Sequence, residues 1–448
     1  SADEIETMVI EFCAAGSAIC YGRMGASVQT FGTLTQYLIM LFNMLSGNLN
    51  RRGGMMFTQP AADALPHSGR GTLGKYFSRV RNLPGFAGEY PVAALSEEIT
   101  TPGEGQIKAM VIGGGNPVLT TSNGKQLDKA FEQLDFVVAV DFYVTETSRH
   151  ADIILPPVTA LERDHYDVVF HNFAVRNSAK FSPALFAQPA ETKTDWQIYL
   201  GLAERIDKLN GKATEHYAAL WHKEPTGVID DMLKSGRYAN GEYNLSIQTL
   251  REQPHGIDLG PLQPELPGAI YHGDKKIDMA FDYFMGDLPR LEKHFFSDES
   301  PLDQHNSDTL YLIGRRHLKS NNSWLHNSPR MMKGLSSDKK GQNPRCSAQL
   351  HPDDAARFSI QDGQLISVTS RVGQVEIVAE LTDKIMPGVI SIPHGWGHNK
   401  AGSSWKLAEQ HSGVSVNDLT DEMCLDELSG NAVLNGVPVT IAALGIGQ

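Results

Sequence analysis

The chain has 448 residues, 41% hydrophobic and 20% charged, with a formal net charge of -13. That length predicts two or three domains. The acidic balance excludes a nucleic-acid polymer as partner, because binding many phosphates needs a basic face. The longest apolar run worth testing, residues 37–45, is far too short to span a bilayer, so no membrane insertion is expected.

Ser1 and Glu4 predict a capping box for a helix with Ile5, Val9, Phe12 and Cys13 on one face. Such a start reads as a helix cap rather than a natural N-terminus, so the chain is expected to be a piece of a longer protein. Residues 18–21 predict a short strand and residues 22–25 a loop with one cation. Leu34, Leu38, Leu41, Phe42 and Leu45 predict a helix over 33–46, ended by Gly47. Arg51 and Arg52, before a glycine pair, read as a solvated turn. Residues 58–105 are rich in proline and glycine without a clear period, which predicts a long excursion rather than a core element. Its most chemical-looking residues are His67 and Arg70, the weak candidates for catalysis. The four cysteines, Cys13, Cys20, Cys346 and Cys424, match no zinc or iron–sulfur spacing. They read as small buried apolar residues in a reducing compartment.

Residues 107–157 organise the chain. An apolar run at 107–112 is followed by Gly113, Gly114, Gly115 and Asn116, then by a helix with Leu127, Ala130, Phe131 and Leu134 on one face and Ser122 as its expected cap. A second apolar run, 136–140, ends at Asp141. Both runs lack polar alternation and suit the interior of a parallel sheet. Ligands of such sheets sit beyond the carboxyl ends of the strands. Those ends carry Gly113–Asn116 and Asp141, a polar rim for a nucleotide. The spacing is not GxGxxG and no P-loop lysine is present, which argues against ordinary dinucleotide and ATP sites.

Beyond this unit, residues 161–180 predict one or two hairpin strands, with Glu162, Asp164 and His165 at their start. Residues 194–240 predict two or three helices, 254–267 a proline-rich connector and 287–308 a charged one. From about 309 the pattern changes to short β-rich runs at 310–314, 364–370, 374–381 and 388–392, separated by glycine and proline turns. They predict a β-barrel or barrel-like domain. Three polar segments lie between its strands: 314–327 (GRRHLKSNNSWLHN), 393–399 (PHGWGHN) and 416–419 (VNDL). Arginine for charge, glycine for close approach and tryptophan for stacking suit a flat heteroaromatic ligand with phosphates.

Taken together, GRMGASVQTFGTLTQYLIMLFNMLSGNLNRRGG, GGGNPVLT with VDFYVTETSRHADIILPP, and the barrel segments LIGRRHLKSNNSWLHN and PHGWGH resemble the molybdopterin guanine dinucleotide oxidoreductases. That family includes dimethyl sulfoxide reductase, formate dehydrogenases and assimilatory nitrate reductase. The resemblance implies an α/β fold, with an open, mostly parallel Rossmann-like sheet followed by a six-stranded, double-psi-like β-barrel. The expected domains are a remnant of an α/β cofactor domain (1–58), a second α/β domain (59–295) and a cofactor-binding barrel (305–448). It also implies two molybdopterin guanine dinucleotides carrying molybdenum or tungsten, a small-molecule substrate and an electron-transfer partner, while the sparse cysteines lead to the expectation of a cytoplasmic location.

By that similarity, Gly113, Gly114, Gly115, Asn116, Asp141, Thr145 and Thr147 line the diphosphate and guanosine end of one cofactor. In the barrel, Gly314, Arg315, Ser320, Asn321, Trp324, His326, Gly395, Trp396, His398 and Asn417 face pterin and phosphate groups. The family's iron–sulfur cysteines and metal-ligating residue match nothing in this chain, so no metal ligand is expected here and the piece alone is expected to be inactive. Where formate dehydrogenases place an arginine soon after the glycine pair, this chain has Met55-Met56-Phe57-Thr58, which puts a formate substrate in doubt. The competing expectation is a non-catalytic subunit that kept the fold without the cofactor.

Overall fold

The structure is a computed structural model that describes residues 1–64, 74–297, 308–317, 320–332 and 346–444. His67 and Arg70 therefore lie outside the described residues. The chain divides into two compact units, one formed by Ser1–Tyr21, Leu38–Gly71 and Leu155–Met279, the other by Gly22–Tyr37, Thr72–Ile154 and Ala280–Gln448.

In the second unit, β1 (Ala109–Gly113), β2 (Phe136–Val140) and β3 (Ile153–Ile154) form a parallel sheet in that order. The crossover helix Gly124–Phe131 buries Leu127, Ala130 and Phe131 against Ile99, Ile112, Val118 and Val137. Its cap is Asn123 rather than Ser122. Asn123 takes the left-handed conformation, with φ 49°, and accepts from the Gln126 N–H at 3.3 Å. Asparagine tolerates that conformation better than serine does. The stretch expected to hold no core element contains the helix Leu95–Thr100, whose Ile99 is fully buried.

In the first unit, Ser1 and Glu4 form the expected capping box of the helix Ala2–Ala14. Residues 18–21 are not a strand. The backbone N–H and carbonyl of Cys20 pair instead with the side-chain amide of Asn43, at 2.9 and 2.8 Å, which satisfies both groups without a neighbouring strand. Strand β4 (His165–Tyr166) precedes β5 (Arg176–Ala179) and β6 (Phe181–Ser182), and β4 pairs with β6. The expected proline-rich connector contains β7 (Ile257–Pro261), which pairs with β5. Phe181, Leu233, Leu245, Leu250 and Leu259 make the core of this unit. Helices Asp195–Leu209 and Glu215–Ser235 pack beside it, the second broken at Glu224 just before Pro225.

Returning to the second unit, the charged connector contains the helix Leu288–Phe296. Its amphipathic face is masked in the sequence by Arg290, which pairs with Asp287 at 2.6 Å and lies over the Phe31 ring. The last region is a closed barrel. Its strands are β8 (Thr309–Arg315), β9 (Ser347–Leu350), β10 (Leu365–Thr369), β11 (Gln374–Leu381), β12 (Val389–Pro393) and β13 (Val437–Ala443). They close in the order β10-β11-β9-β12-β8-β13, with β11–β9 and β12–β8 parallel and the other pairs antiparallel. Leu310, Leu312, Ala348, Leu350, Ile366 and Ile390 are fully buried inside it. Strands β9 and β13 were not among the runs expected from the sequence. Of the cysteines only Cys346 is buried; Cys13 and Cys424 are exposed and Cys20 is partly so. Among the described residues no helix is long and apolar enough to cross a membrane.

Candidate functional site

Because β1 and β2 are parallel and in register, with Gly113 opposite Val140, their carboxyl ends open side by side. The turn after β1 begins with exposed Gly113 and Gly114. Gly114 has φ +61°, and a side chain there would meet nothing within 4 Å. The backbone of this turn is thus bare, the condition for close approach of a phosphate-sized group. Asp141, at the end of β2, accepts from the N–H groups of Phe142 and Tyr143 at 2.7 and 3.2 Å. Burial raises its pKa, against the pull of those two N–H groups.

Asn116 is where this rim turns inward. Its amide donates to Glu146 Oε2 at 2.8 Å, and its carbonyl accepts from the Thr147 hydroxyl at 2.7 Å. The same hydroxyl accepts from the Val118 N–H at 3.1 Å, fixing the start of the next helical turn. Thr145 is committed to Ser148, whose hydroxyl accepts from the Thr145 N–H at 2.7 Å. Thr145, Glu146 and Thr147 are all shut away from solvent.

From the barrel side come His326, Trp396 and His398. His398 Nδ1 lies 3.0 Å from Glu146 Oε1, and His398 Nε2 lies 2.8 Å from His326 Nδ1. In the neutral tautomer that donates Nδ1–H to Glu146, His398 accepts at Nε2 from His326. The His326 ring stacks on Trp396 with centroids 3.9 Å apart. A buried hydrogen-bonded chain thus runs Thr147–Asn116–Glu146–His398–His326, joining the loops of the sheet to those of the barrel. Asn417 adds a second tie, donating to the Leu119 carbonyl at 2.7 Å. Asn116 also approaches Ser323 Oγ at 3.5 Å, and Phe142 stacks on Trp324 with centroids 6.3 Å apart. The glycine turn and the Trp324 segment therefore share one site.

The other residues singled out from the sequence lie around it. Ser320 is buried, whereas Asn321 and Trp324 are exposed. Gly395 has φ +90°, and a side chain there would run into the Asn322 carbonyl, so glycine is required by packing as well as by conformation. Gly314 donates its N–H to Asn435 Oδ1 at 2.9 Å. Arg315 turns into the barrel wall and donates to the carbonyls of Ser391 and Ser347 at 2.6 and 2.8 Å. Burial lowers the pKa of Arg315, partly offset by Glu380. His394, which the sequence reading passed over, is pushed down to about 4 by burial and by the nearby Arg316 charge. Glu146 was also passed over. The only sequence signal for it is its place between two threonines, a short loop beyond the end of β2.

A group carrying a diphosphate and a fused heterocycle needs bare backbone at one end and ring-edge donors at the other. The glycine turn meets the first requirement. For the second, Trp396 Nε1, Trp405 Nε1 and Ser415 Oγ are buried without a hydrogen-bond partner among the described residues. Such donors suit an acceptor-rich ligand. The residues present fit a pterin dinucleotide.

Comparisons with known proteins agree. Residues 14–205 match the family model described as Molybdopterin oxidoreductase, and residues 310–438 match that described as Molydopterin dinucleotide binding domain. The F420-dependent formate dehydrogenase subunit alpha of Methanocaldococcus jannaschii is 26% identical over 90% of this chain and 55% of its own length. The dimethyl sulfoxide/trimethylamine N-oxide reductase of Rhodobacter capsulatus is 28% identical over 63% of this chain and 35% of its own. The assimilatory nitrate reductase catalytic subunit of Bacillus subtilis is 24% identical over 65% and 38%. The chain thus spans about half or less of these relatives. Among solved structures, acetylene hydratase from Pelobacter acetylenicus shares the fold, with a TM-score of 0.67 over 99% of this chain and 63% of that one, at 15% identity. With a sheet whose turn and a barrel whose loops meet at one buried hydrogen-bonded chain, and with both family models matched in that order, this chain belongs to the molybdopterin oxidoreductase family, whose cofactor is molybdopterin guanine dinucleotide with molybdenum or tungsten.

Proposed function

We propose that this chain forms the C-terminal part of a molybdenum or tungsten oxidoreductase, in which it holds pterin dinucleotide for two-electron redox of a small substrate with an electron-transfer partner. The observation that carries this reading is the buried chain from Asn116 through Glu146 and His398 to His326. Two isolated modules would have no reason to share a desolvated carboxylate and two imidazoles.

In this reading the Gly113–Asn116 turn and Asp141 receive the diphosphate and guanosine end, with Thr145 and Thr147 shaping the turn from behind. Trp324, Asn321, Trp396 and His326 face the heterocycle, while Ser320, Gly314 and Gly395 set the backbone around it. Arg315, His398 and Asn417 act from a second layer, since their hydrogen-bonding groups already hold protein partners. When bound, the metal and its pterins supply the redox chemistry; the residues described here bind, orient and exclude water.

The test is metal analysis and guanine-nucleotide release on the protein from the complete reading frame. Molybdenum or tungsten together with guanine nucleotide is expected. Absence of both would turn the reading into the alternative, a structural subunit that kept the fold.

A further inference from the structure

The first unit holds a cavity of about 1030 Å³ that the cofactor reading does not use. Its walls come from β4, β6, the helix Asp195–Leu209 and the broken helix Glu215–Ser235. They are largely apolar and aromatic, with Tyr166, Phe181, Phe186, Trp196, Tyr199 and Leu200. The volume lies at the upper end of the range for small-molecule sites, roughly 300–1,000 Å³.

The charges around it are unequal. Glu162, Asp164, Asp195 and Glu224 stand against the single guanidinium of Arg163. Arg163 is taken up by Asp195. Asp164 is neutralised from outside by Arg251 at 3.1 Å and accepts from the Ala184 N–H at 2.9 Å. Among the described residues, two carboxylates are left without a cation. Among the described residues Glu162 accepts only from Thr159, through its N–H at 2.8 Å and its hydroxyl at 3.0 Å. The Glu224 side chain has no hydrogen bond or ion pair among the described residues. Its backbone holds φ 53° and ψ 165°, a region that costs a side-chain-bearing residue about 1–3 kcal/mol. The break carries an unneutralised carboxylate to the edge of an aromatic cavity.

Aromatic faces and uncompensated carboxylates select the same kind of ligand. Ring quadrupoles attract cations, apolar walls favour a bulky hydrocarbon body, and the rim repels anions. We propose that this cavity is a binding site for an organic cation with an aromatic body, separate from the pterin site. The body lies along Trp196, Tyr199 and Phe181, and the ammonium head lies toward Glu224 and Glu162.

The experiment is isothermal titration of the whole chain with three probes that share one body: 2-(1-naphthyl)ethylammonium, 2-(1-naphthyl)ethanol and 1-naphthylacetate. The ammonium is expected to bind about threefold or more tighter than the alcohol, and the carboxylate to bind weakest. Glu224→Gln, at an exposed position, should shrink the ammonium-over-alcohol preference by about threefold and leave alcohol binding unchanged. Leu200→Trp should fill the cavity and weaken both the ammonium and the alcohol by roughly tenfold. Equal affinity for ammonium and alcohol, no binding of the ammonium, or a preference that survives Glu224→Gln would each overturn the proposal. The Glu224→Gln arm stands even where Leu200→Trp fails to fold.

Discussion

The two sides of the site are built on opposite principles. On the sheet side, Gly113 and Gly114 are exposed and a side chain at Gly114 would touch nothing. On the barrel side, His398 and Asn417 are fully buried, and their hydrogen-bonding groups already hold protein partners. One side offers backbone to be covered. The other is already covered and fixes geometry through hydrogen bonds. The contrast separates residues that receive a ligand from residues that hold the receivers in place, a division that residue type alone does not reveal.

The largest expected effect falls on the covered side. Glu146→Ala leaves two buried donors, on His398 and Asn116, without their shared acceptor, and should cost about 2–5 kcal/mol in chemical denaturation. Glu146→Gln keeps one acceptor and should cost about 1–3 kcal/mol. A loss for the alanine variant below about 1 kcal/mol would mean that the buried chain does not hold the two sides together.

His394 makes the same side sensitive to acid. Its pKa of about 4 lies below the ordinary 6.5, so the unfolded state binds the proton more readily. Its contribution is therefore fully present above pH 6.5 and is lost as pH falls toward 4. The loss should be on the order of 2 kcal/mol after solvent screening. Urea midpoints for the wild type should fall over that window, and His394→Gln should flatten the slope there.

On the open side, stability and binding should part company. Gly114→Ala meets no neighbour and should cost about 1–2 kcal/mol of left-handed backbone strain. The same variant should lower the guanine-nucleotide content of the full-length protein well beyond what its melting temperature accounts for. The smallest effect belongs to Trp324→Ala. This exposed ring should change stability by only about 0.5 kcal/mol, and a larger loss would move Trp324 to the covered side of the comparison.

Much of this architecture can be read from the chain. The apolar runs of β1 and β2 and the glycine turn between them follow from local pattern, and four barrel strands follow from short β-branched runs between glycine and proline turns. Strand β13 escapes because Pro438 interrupts its run; Pro438 is exposed and pairs opposite Tyr311, a position that tolerates the ring. Strand β9 is only Ser347–Leu350, too short and too polar to stand out. Glu146 escapes for a different reason. A glutamate flanked by threonines looks solvated, and its burial is made tolerable by Asn116 and by His398, 252 residues away. The pairing of Cys20 with Asn43 is similar, because a side-chain amide that completes a strand-like backbone leaves no periodic trace.

The Asn417–Leu119 hydrogen bond spans 298 residues of sequence, and the Thr420 carbonyl accepts from the Asn123 N–H beside it at 2.9 Å. Closing a loop of that length costs roughly 5 kcal/mol of chain entropy. No single bond offsets that, so these contacts are expected to form together. In refolding, the amide protons of the glycine turn and of the helix it leads into should be the last to gain protection from exchange, and they should gain it in one step.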